Sequence, residues 1–250
     1  MSASRIMRVF PTLACSVLLL STSTYSAPPQ PTRAANRETS DAQWSVRVDV
    51  LMVAMPQDKL LPLLPDLRDP KKIDAAVDQL LTAVQRKEAI LTGYPTVNTL
   101  DGTRSMSEAI FEKRYPTEFE PPQNPQNKST SSPALEPTAV NDSPLPTAFE
   151  TRNLGVTLEV EPHVNTRGDS IRIDVVSQRV ELLGFDSFDA IKTASGRSVK
   201  IDQPQFFTSK VNAKVRVQNG QRALIAVHLL AKPENYLEVF ILQAWTTPVR

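Results

Sequence analysis

Apolar and polar residues alternate along much of the second half of the chain, and this alternation constrains the fold more than any other feature. In the stretch "GVTLEVEPHV", Val156, Leu158 and Val160 are separated by single polar residues, and Pro162 follows them. Successive side chains of an extended strand point to opposite faces, so this stretch predicts a strand with one apolar and one polar face. Several such strands must bring their apolar faces together in a sheet-based core.

Four further strands are predicted after this one. Their sequences are "DSIRIDVVSQRVELLG", "KVNAKVRVQ", "RALIAVHLLA" and "YLEVFILQAW". Turn residues fill positions 165–168, and Asn219-Gly220 forms a second tight turn. Because all connections are short, we predict that consecutive strands are antiparallel neighbours.

The stretch from Ala223 to Ala231 is apolar on both faces, apart from His228. Strands of this kind are typical of a sheet that is covered on both sides, so we predict that this one lies between two layers. For His228 we predict a core histidine with one hydrogen bond.

The first half predicts a strand, a helix and a hairpin. The strand is "WSVRVDVLMVAM", whose second half has no polar side and should be buried on both faces. An amphipathic helix follows, with Asp69 as its N-cap, Pro70 at its first position and its end near Lys87. Asp101-Gly102 then stands between two strand-like runs and predicts a hairpin turn. The fold class is therefore α+β and β-rich, with antiparallel strands and one amphipathic helix in the N-terminal half.

Composition divides the chain into five parts. Residues 1–26 have the layout of a secretory signal peptide, and residues 27–43 read as a disordered leader. Residues 44–115 hold the strand, the helix and the hairpin, and residues 149–247 hold the β-meander. Residues 116–148 are rich in Pro, Asn, Ser and Thr, which predicts a long loop or linker.

The signal peptide predicts export, and the cysteine count is consistent with that compartment. Cys15 is the only cysteine and lies in the apolar part of the signal segment, so no disulfide is expected in the exported chain. Plain cleavage near Ala27 is one outcome, and lipidation of Cys15 in the sequence "TLAC" is the alternative.

Charge and motifs exclude several function classes. The net charge is +1 and basic residues form no stripe with aromatics, so nucleic acid is not an expected partner. The sequence has no Gly-x-Ser-x-Gly motif, only two histidines and only seven glycines. We therefore expect no catalytic residues, no cofactor, no small-molecule substrate and no enzyme activity.

The best metal candidate is the set Glu159, Glu161 and His163, which share one face of a strand. Carboxylates and imidazole are zinc ligands, but a solvated sheet face explains the same pattern. No further ligand is visible in the sequence, so we expect no metal site.

The order of these segments resembles the core domain of the bacterial secretins, which form ring-shaped outer-membrane channels in type II and type III secretion and in type IV pilus systems. The resemblance extends from about Val46 to Trp245. It rests on "NLGVTLEVEPHV", "PQFFTSKVNAKVRVQNGQ" and "AILTGYPTVNTLDG". The family-motif residues are Gly155, Val156, Leu158, Val160, Pro162, Pro204, Phe206, Thr208, Asn219 and Gly220.

The resemblance implies a secretin-core-like structural or assembly protein in the periplasm or outer membrane of a Gram-negative-type bacterium. It implies self-association into a ring, or binding to other envelope and secretion proteins, in protein secretion or pilus export. Two departures favour an alternative. Ala226, Val227 and His228 stand where secretins have Gly-Gly-Leu, and Lys232 to Asn235 connect directly to the final strand where secretins insert a longer segment. The alternative is a stand-alone periplasmic or surface binding module that keeps the fold without a pore.

Overall fold

The computed structural model describes residues 43–120, 144–192 and 198–249. The predicted signal peptide, Cys15, nearly all of the predicted leader and the centre of the Pro-rich segment lie outside these residues. Within them the chain forms two antiparallel β-sheets that face each other, with helices on the outer side of the first sheet. This arrangement confirms the β-rich α+β fold class.

Nine strands make up the two sheets in the described part of the chain. The first sheet contains β1 (Trp44–Pro56), β2 (Ile90–Gly93), β3 (Thr96–Leu100), β8 (Arg222–Leu229) and β9 (Tyr236–Pro248). Its order is β2-β1-β9-β8, and β3 also pairs with β1. The second sheet contains β4 (Ser105–Glu120), β5 (Leu145–Val164), β6 (Ser170–Lys192) and β7 (Ser198–Gln218), in the order β4-β5-β6-β7.

The helical layer has one long helix and several short turns. Its elements are α1 (Gln57–Leu60), a 3-10 turn (Leu61–Leu63), α2 (Leu64–Arg68) and α3 (Ile73–Gln85). The predicted amphipathic helix is α3, which buries Ile73, Val77 and Leu80 against the first sheet. It begins at Ile73 and not at Pro70. Asp69 caps the preceding turn instead, since its Oδ1 accepts a hydrogen bond from the Lys71 amide at 2.9 Å.

The first sheet is buried on both faces because it is the middle layer. Val48, Val50 and Met52 of β1 pack toward the second sheet, whereas Leu51 and Val53 pack toward the helices. The predicted loss of the polar side in the second half of β1 is therefore confirmed. Strand β8 also contributes side chains to both cores, as predicted for the apolar stretch that contains it.

Both tight turns connect the two sheets, so two of the pairing predictions are wrong. Asp101-Gly102 leads from β3, which pairs with β1, to β4, which pairs with β5. Asn219-Gly220 leads from β7 in the second sheet to β8 in the first. An Asx-Gly turn reverses the chain in both cases, but the flanking strands hydrogen-bond in different layers. The predicted antiparallel pairs β5-β6, β6-β7 and β8-β9 are confirmed.

The strands of the second sheet are 16 to 23 residues long and extend into the predicted loop. Residues 116–120 belong to β4 and residues 145–148 belong to β5. Pro116 is tolerated because β4 is an edge strand, and the pairing shifts register between Pro116 and Glu118.

The first sheet covers only one end of the second sheet. We call the covered part the base; it comprises residues 105–109, 156–164, 170–181 and 207–218. The remainder of the second sheet is the distal end. In β5 the side chains of Leu158 and Val160 are fully buried, whereas residues 150–153 are exposed.

Candidate functional site

The two edges of the second sheet are its most distinctive surface. Strands β4 and β7 each have one ladder partner, β5 and β6 respectively, and neither has a second one within the described residues. An edge strand presents a row of unpaired N–H and C=O groups that can receive another strand. Both edges are long, so they form the candidate assembly surface of this fold.

At the distal end the two edges approach each other. The rings of Tyr115 on β4 and Phe206 on β7 lie 5.4 Å apart between their centroids. The Gln203 side chain donates a hydrogen bond of 3.4 Å to the carbonyl oxygen of Pro116. The distal end therefore curls until its own edges touch, while the edges of the base stay apart.

Glu159, Glu161 and His163 lie on the outward face of the base, away from the first sheet. Glu159 forms an ion pair with Arg104, and Glu161 Oε1 lies 3.4 Å from His163 Nε2. Both Glu161 and His163 are more than a third exposed. In the part of the chain that the structure describes, no group of three or more His, Cys, Asp or Glu residues is placed to hold a metal ion. The geometry is that of a solvated face.

A buried ionic cluster joins the two sheets. Glu238 of β9 is completely buried and accepts hydrogen bonds from Arg179 Nε at 2.9 Å, Ser209 Oγ at 2.6 Å and Thr92 Oγ1 at 2.6 Å. Arg179 and Ser209 belong to the second sheet, and Thr92 and Glu238 to the first. The Glu238 carboxylate therefore ties the facing sheets together with three donors.

Charge in this cluster is compensated locally. Burial of the Arg179 guanidinium opposes its charge, but hydrogen bonds and ion pairs with Glu238 and Glu181 outweigh burial and raise the pKa of Arg179. Arg179 Nη1 lies 2.5 Å from Glu181 Oε2. Because both partners are acidic, the arginine stays charged inside the sandwich.

His228 adjoins the cluster and forms the single hydrogen bond predicted for it. Its Nδ1 lies 2.7 Å from Ser209 Oγ, and its ring packs on Phe240 at 5.1 Å. The Ser209 hydroxyl donates its proton to Glu238, so it accepts from His228, which must carry its proton on Nδ1. The acid therefore forms its hydrogen bond with the serine and not with the histidine, which stands opposite it in the ladder, and Ser209 is 2% exposed. This arrangement does not activate a nucleophile.

The family-motif residues occupy three places in the fold. Val156, Leu158, Val160 and Pro162 lie on the inward face of β5, while Pro204, Phe206 and Thr208 lie on β7. Asn219 and Gly220 form a turn between the sheets, where Asn219 Oδ1 accepts a hydrogen bond of 3.0 Å from the Thr246 amide.

Gly155 marks the point where β5 leaves the sandwich. Its φ is +122°, and a Cβ at this position would lie 2.1 Å from the Ala109 carbonyl oxygen. Only glycine tolerates both the conformation and the close approach of β4.

The sequence analysis did not single out Arg179, Ser209 or Glu238. Glu238 does carry a signal, because it is one acidic residue among the apolar residues of "YLEVFILQAW". A lone acid on a strand that is otherwise buried needs a compensating donor. The sequence does not show that the donors come from strands about 30 and 60 residues earlier.

Comparison with known proteins identifies one matching family. The family model called Secretin, described as bacterial type II and III secretion system protein, matches residues 83–227, which is more than half of the chain. No curated protein sequence gives a significant match.

Several solved structures resemble the chain. Aeromonas hydrophila ExeD has 12% sequence identity, and the match covers 84% of this chain and 49% of ExeD with a TM-score of 0.37. The secretin GspD of E. coli K12 has 11% sequence identity, and the match covers 84% of this chain and 50% of GspD with a TM-score of 0.37. The Salmonella SPI-1 injectisome secretin InvG has 9% sequence identity, and the match covers 84% of this chain and 64% of InvG with a TM-score of 0.36. The chain thus spans about half the length of ExeD and GspD, and the family assignment rests on the family match.

Proposed function

The chain belongs to the secretin family, and from this membership we propose that it is an exported envelope protein whose copies assemble into a ring for protein secretion or pilus export. Members of this family are structural components of secretion systems. The proposed location is the periplasm or outer membrane, to which residues 1–26 would direct the chain. None of the described helices is long and apolar enough to cross a membrane.

One observation carries the ring proposal: the second sheet is a four-stranded antiparallel meander with β4 and β7 at opposite edges. Directions alternate along the order β4-β5-β6-β7, so β4 and β7 run antiparallel. Strand β4 of a second copy can therefore continue the alternation beside β7. Head-to-tail contacts of this kind close into a ring when the rotation between copies is right, and closure removes both free edges of the second sheet.

The proposed role is structural and not catalytic. The family match supports a secretion component, and the buried Ser209 and Glu238, with the half-buried His228, serve to join the sheets. The proposed partners are other copies of the chain and other envelope or secretion proteins.

Electron microscopy of the protein extracted from envelopes in detergent tests the proposal. We expect rings with a central lumen and a multimeric mass by light scattering, because paired β4 and β7 edges are the most stable state of these strands. Monomers at all protein concentrations, together with release of the protein by osmotic shock, would contradict it.

The stand-alone binding module remains the second candidate. The contact between Tyr115 and Phe206 favours it, because a chain whose distal edges touch each other already protects part of both edges. Its expected signature is a soluble periplasmic monomer, so the same experiment separates the two functions.

A further inference from the structure

Strand β7 carries a row of positive charge along its free edge. Lys210, Lys214 and Arg216 are all exposed and alternate with the inward-facing residues Val211 and Val217, so they share the outward face of the base. Lys214 forms an ion pair of 2.7 Å with Asp174 of β6, and the other two are poorly compensated. Lys210 has no acidic partner within the described residues, and Arg216 stands opposite Arg172 in the ladder with β6. Like charges in directly opposite positions are destabilising.

Strand β4 carries acidic side chains on the outward face of the second sheet, one in the base and one in the distal end. Glu108 and Glu112 are exposed, and they pair with Thr157 and Asn153 on the outward side of β5. Glu112 has no basic partner in the described part of the chain. Glu108 receives only a long contact of 3.4 Å from Thr157 Oγ1. Arg114 follows on the same face, where its guanidinium lies 4.2 Å from the centroid of the Phe149 ring. The acidic pair on β4 and the basic row on β7 are therefore of opposite sign.

The spacing of these charges selects one register between copies. In an antiparallel pair, the residue numbers of one strand rise along the ladder while those of the other strand fall by the same amount. If Glu112 of one copy stands opposite Lys210 of the next, Glu108 stands opposite Lys214. Both pairs are satisfied together because each strand spaces its charges four residues apart.

The neighbouring registers lack this match. Within one chain the ladders connect Glu108 to Thr157, Thr157 to Gln178 and Gln178 to Lys210, so these residues form one row across the sheet. Continuing that row unshifted would place Glu108 opposite Lys210 and Arg104 opposite Lys214. A shift of four residues in the other direction would place Arg104 opposite Lys210. Each alternative thus brings two cations together.

The favoured register also has the stagger that a closed barrel needs. In the favoured register, a row of paired residues that crosses from one copy to the next moves four residues along the strands. Each copy contributes four strands, so the shear is one residue per strand. A barrel of eight strands and shear eight has the same ratio, and its strands are tilted by about 36°. Closed barrels have tilts of roughly 35–45°, whereas an unshifted register has no tilt.

We propose that Glu112–Lys210 and Glu108–Lys214 pairs between neighbouring copies set the register of the ring. This inference rests on the proposed function, since it names the contacts by which the copies join. In this register Phe206 faces Pro116 of the next copy, beside that copy's Tyr115. The contact between Tyr115 and Phe206 within one chain is thereby replaced by the same contact between two chains.

Cysteine crosslinking tests the register directly. In a Cys15→Ser background, Glu112→Cys with Lys210→Cys should give a ladder of covalent multimers on oxidation. Directly opposite residues of antiparallel strands have Cα atoms about 4.5–5.5 Å apart, within the range that disulfides span. The matched control, Glu108→Cys with Lys210→Cys, should give no ladder because four residues would separate the two cysteines.

Charge reversal gives a second readout. Lys210→Glu alone should lose rings, and adding Glu112→Lys should restore them, whereas adding Glu108→Lys should not. A ladder from the control cysteine pair, or equal rescue by both reversals, would overturn the register while leaving the ring intact. Failure of the unmodified chain to form rings would overturn the ring proposal and this inference together.

Discussion

Glu238 is the residue on which the contact between the two sheets depends most. It is fully buried, and it compensates the charge of Arg179, which is 6% exposed. Removing one partner of a buried ion pair leaves the other charge without compensation in a medium that solvates it poorly.

We expect Glu238→Ala to lower the free energy of unfolding by about 3–5 kcal/mol, because Arg179 loses the partner bound to its Nε. Equilibrium unfolding in urea measures this loss. The matched control is Glu181→Ala, which also removes a carboxylate from Arg179 but one that is about a third exposed. It should cost less than Glu238→Ala, because Glu181 is partly hydrated and Arg179 keeps its ion pair with Glu238. Equal losses in the two variants would show that burial does not decide the strength of these pairs.

Individual residues show what a sequence pattern can and cannot reveal. Alternation placed Glu159 and Glu161 correctly on a polar strand face, because that inference needs only the period of a strand. The contact between Glu238 and Arg179 depends on which sheets face each other, and local pattern carries no such information. The hydrogen bond of His228 was predicted correctly, because a histidine in an apolar stretch needs a partner whatever the topology, although its side chain is half-buried and not in the core.

The two turns between the sheets determine the topology at the scale of elements. Gly102 donates a hydrogen bond of 2.8 Å to the Pro162 carbonyl oxygen, and Asp101 Oδ1 accepts one of 2.8 Å from the Val164 amide. The turn after β3 is thus attached to the end of β5, which lies in the other sheet. An Asx-Gly pair fits a hairpin equally well, so the sequence predicts the turn and leaves the pairing of its strands open.

We expect Asp101→Ala to speed amide hydrogen exchange at Val164, because the amide loses its acceptor. Nuclear magnetic resonance on labelled protein measures the exchange. Asp101→Asn keeps an acceptor oxygen and should exchange nearly as slowly as the unchanged chain. If alanine left the rate of Val164 unchanged, the carboxylate would have no part in holding the turn to β5.

Stability across the whole molecule should be uneven. Both hydrophobic cores lie where the layers overlap, and Phe240, Leu158 and Ile173 are fully buried there. The distal end has exposed large apolar side chains instead, including Phe111 at 67% and Phe188 at 56%. The layered fold was predictable because it follows from burial patterns, whereas the length of the distal end was not, since its strands continue into Pro-rich sequence.

We expect native-state hydrogen exchange to divide the second sheet in two. Amides of β5 from residue 158 to 164 should exchange only on global unfolding, because the core between the two sheets must open first. Amides from residue 147 to 153 should exchange through local opening and much faster. Uniform protection along β5 in the monomer would contradict this division and would place the distal end in the same cooperative unit as the base.

The position of the turns between the sheets has a mechanical consequence. Asp101-Gly102 adjoins the end of β5, and Asn219-Gly220 follows the end of β7 whose Gln218 pairs with Ser170, the first residue of β6. Both connections to the first sheet thus lie at the base, and the distal end extends beyond them with no further connection to the first sheet in the described residues. A force on its tip is carried along continuous strands, and ladder hydrogen bonds perpendicular to those strands share it in shear. Such a wall is stiff along its length without any crosslink.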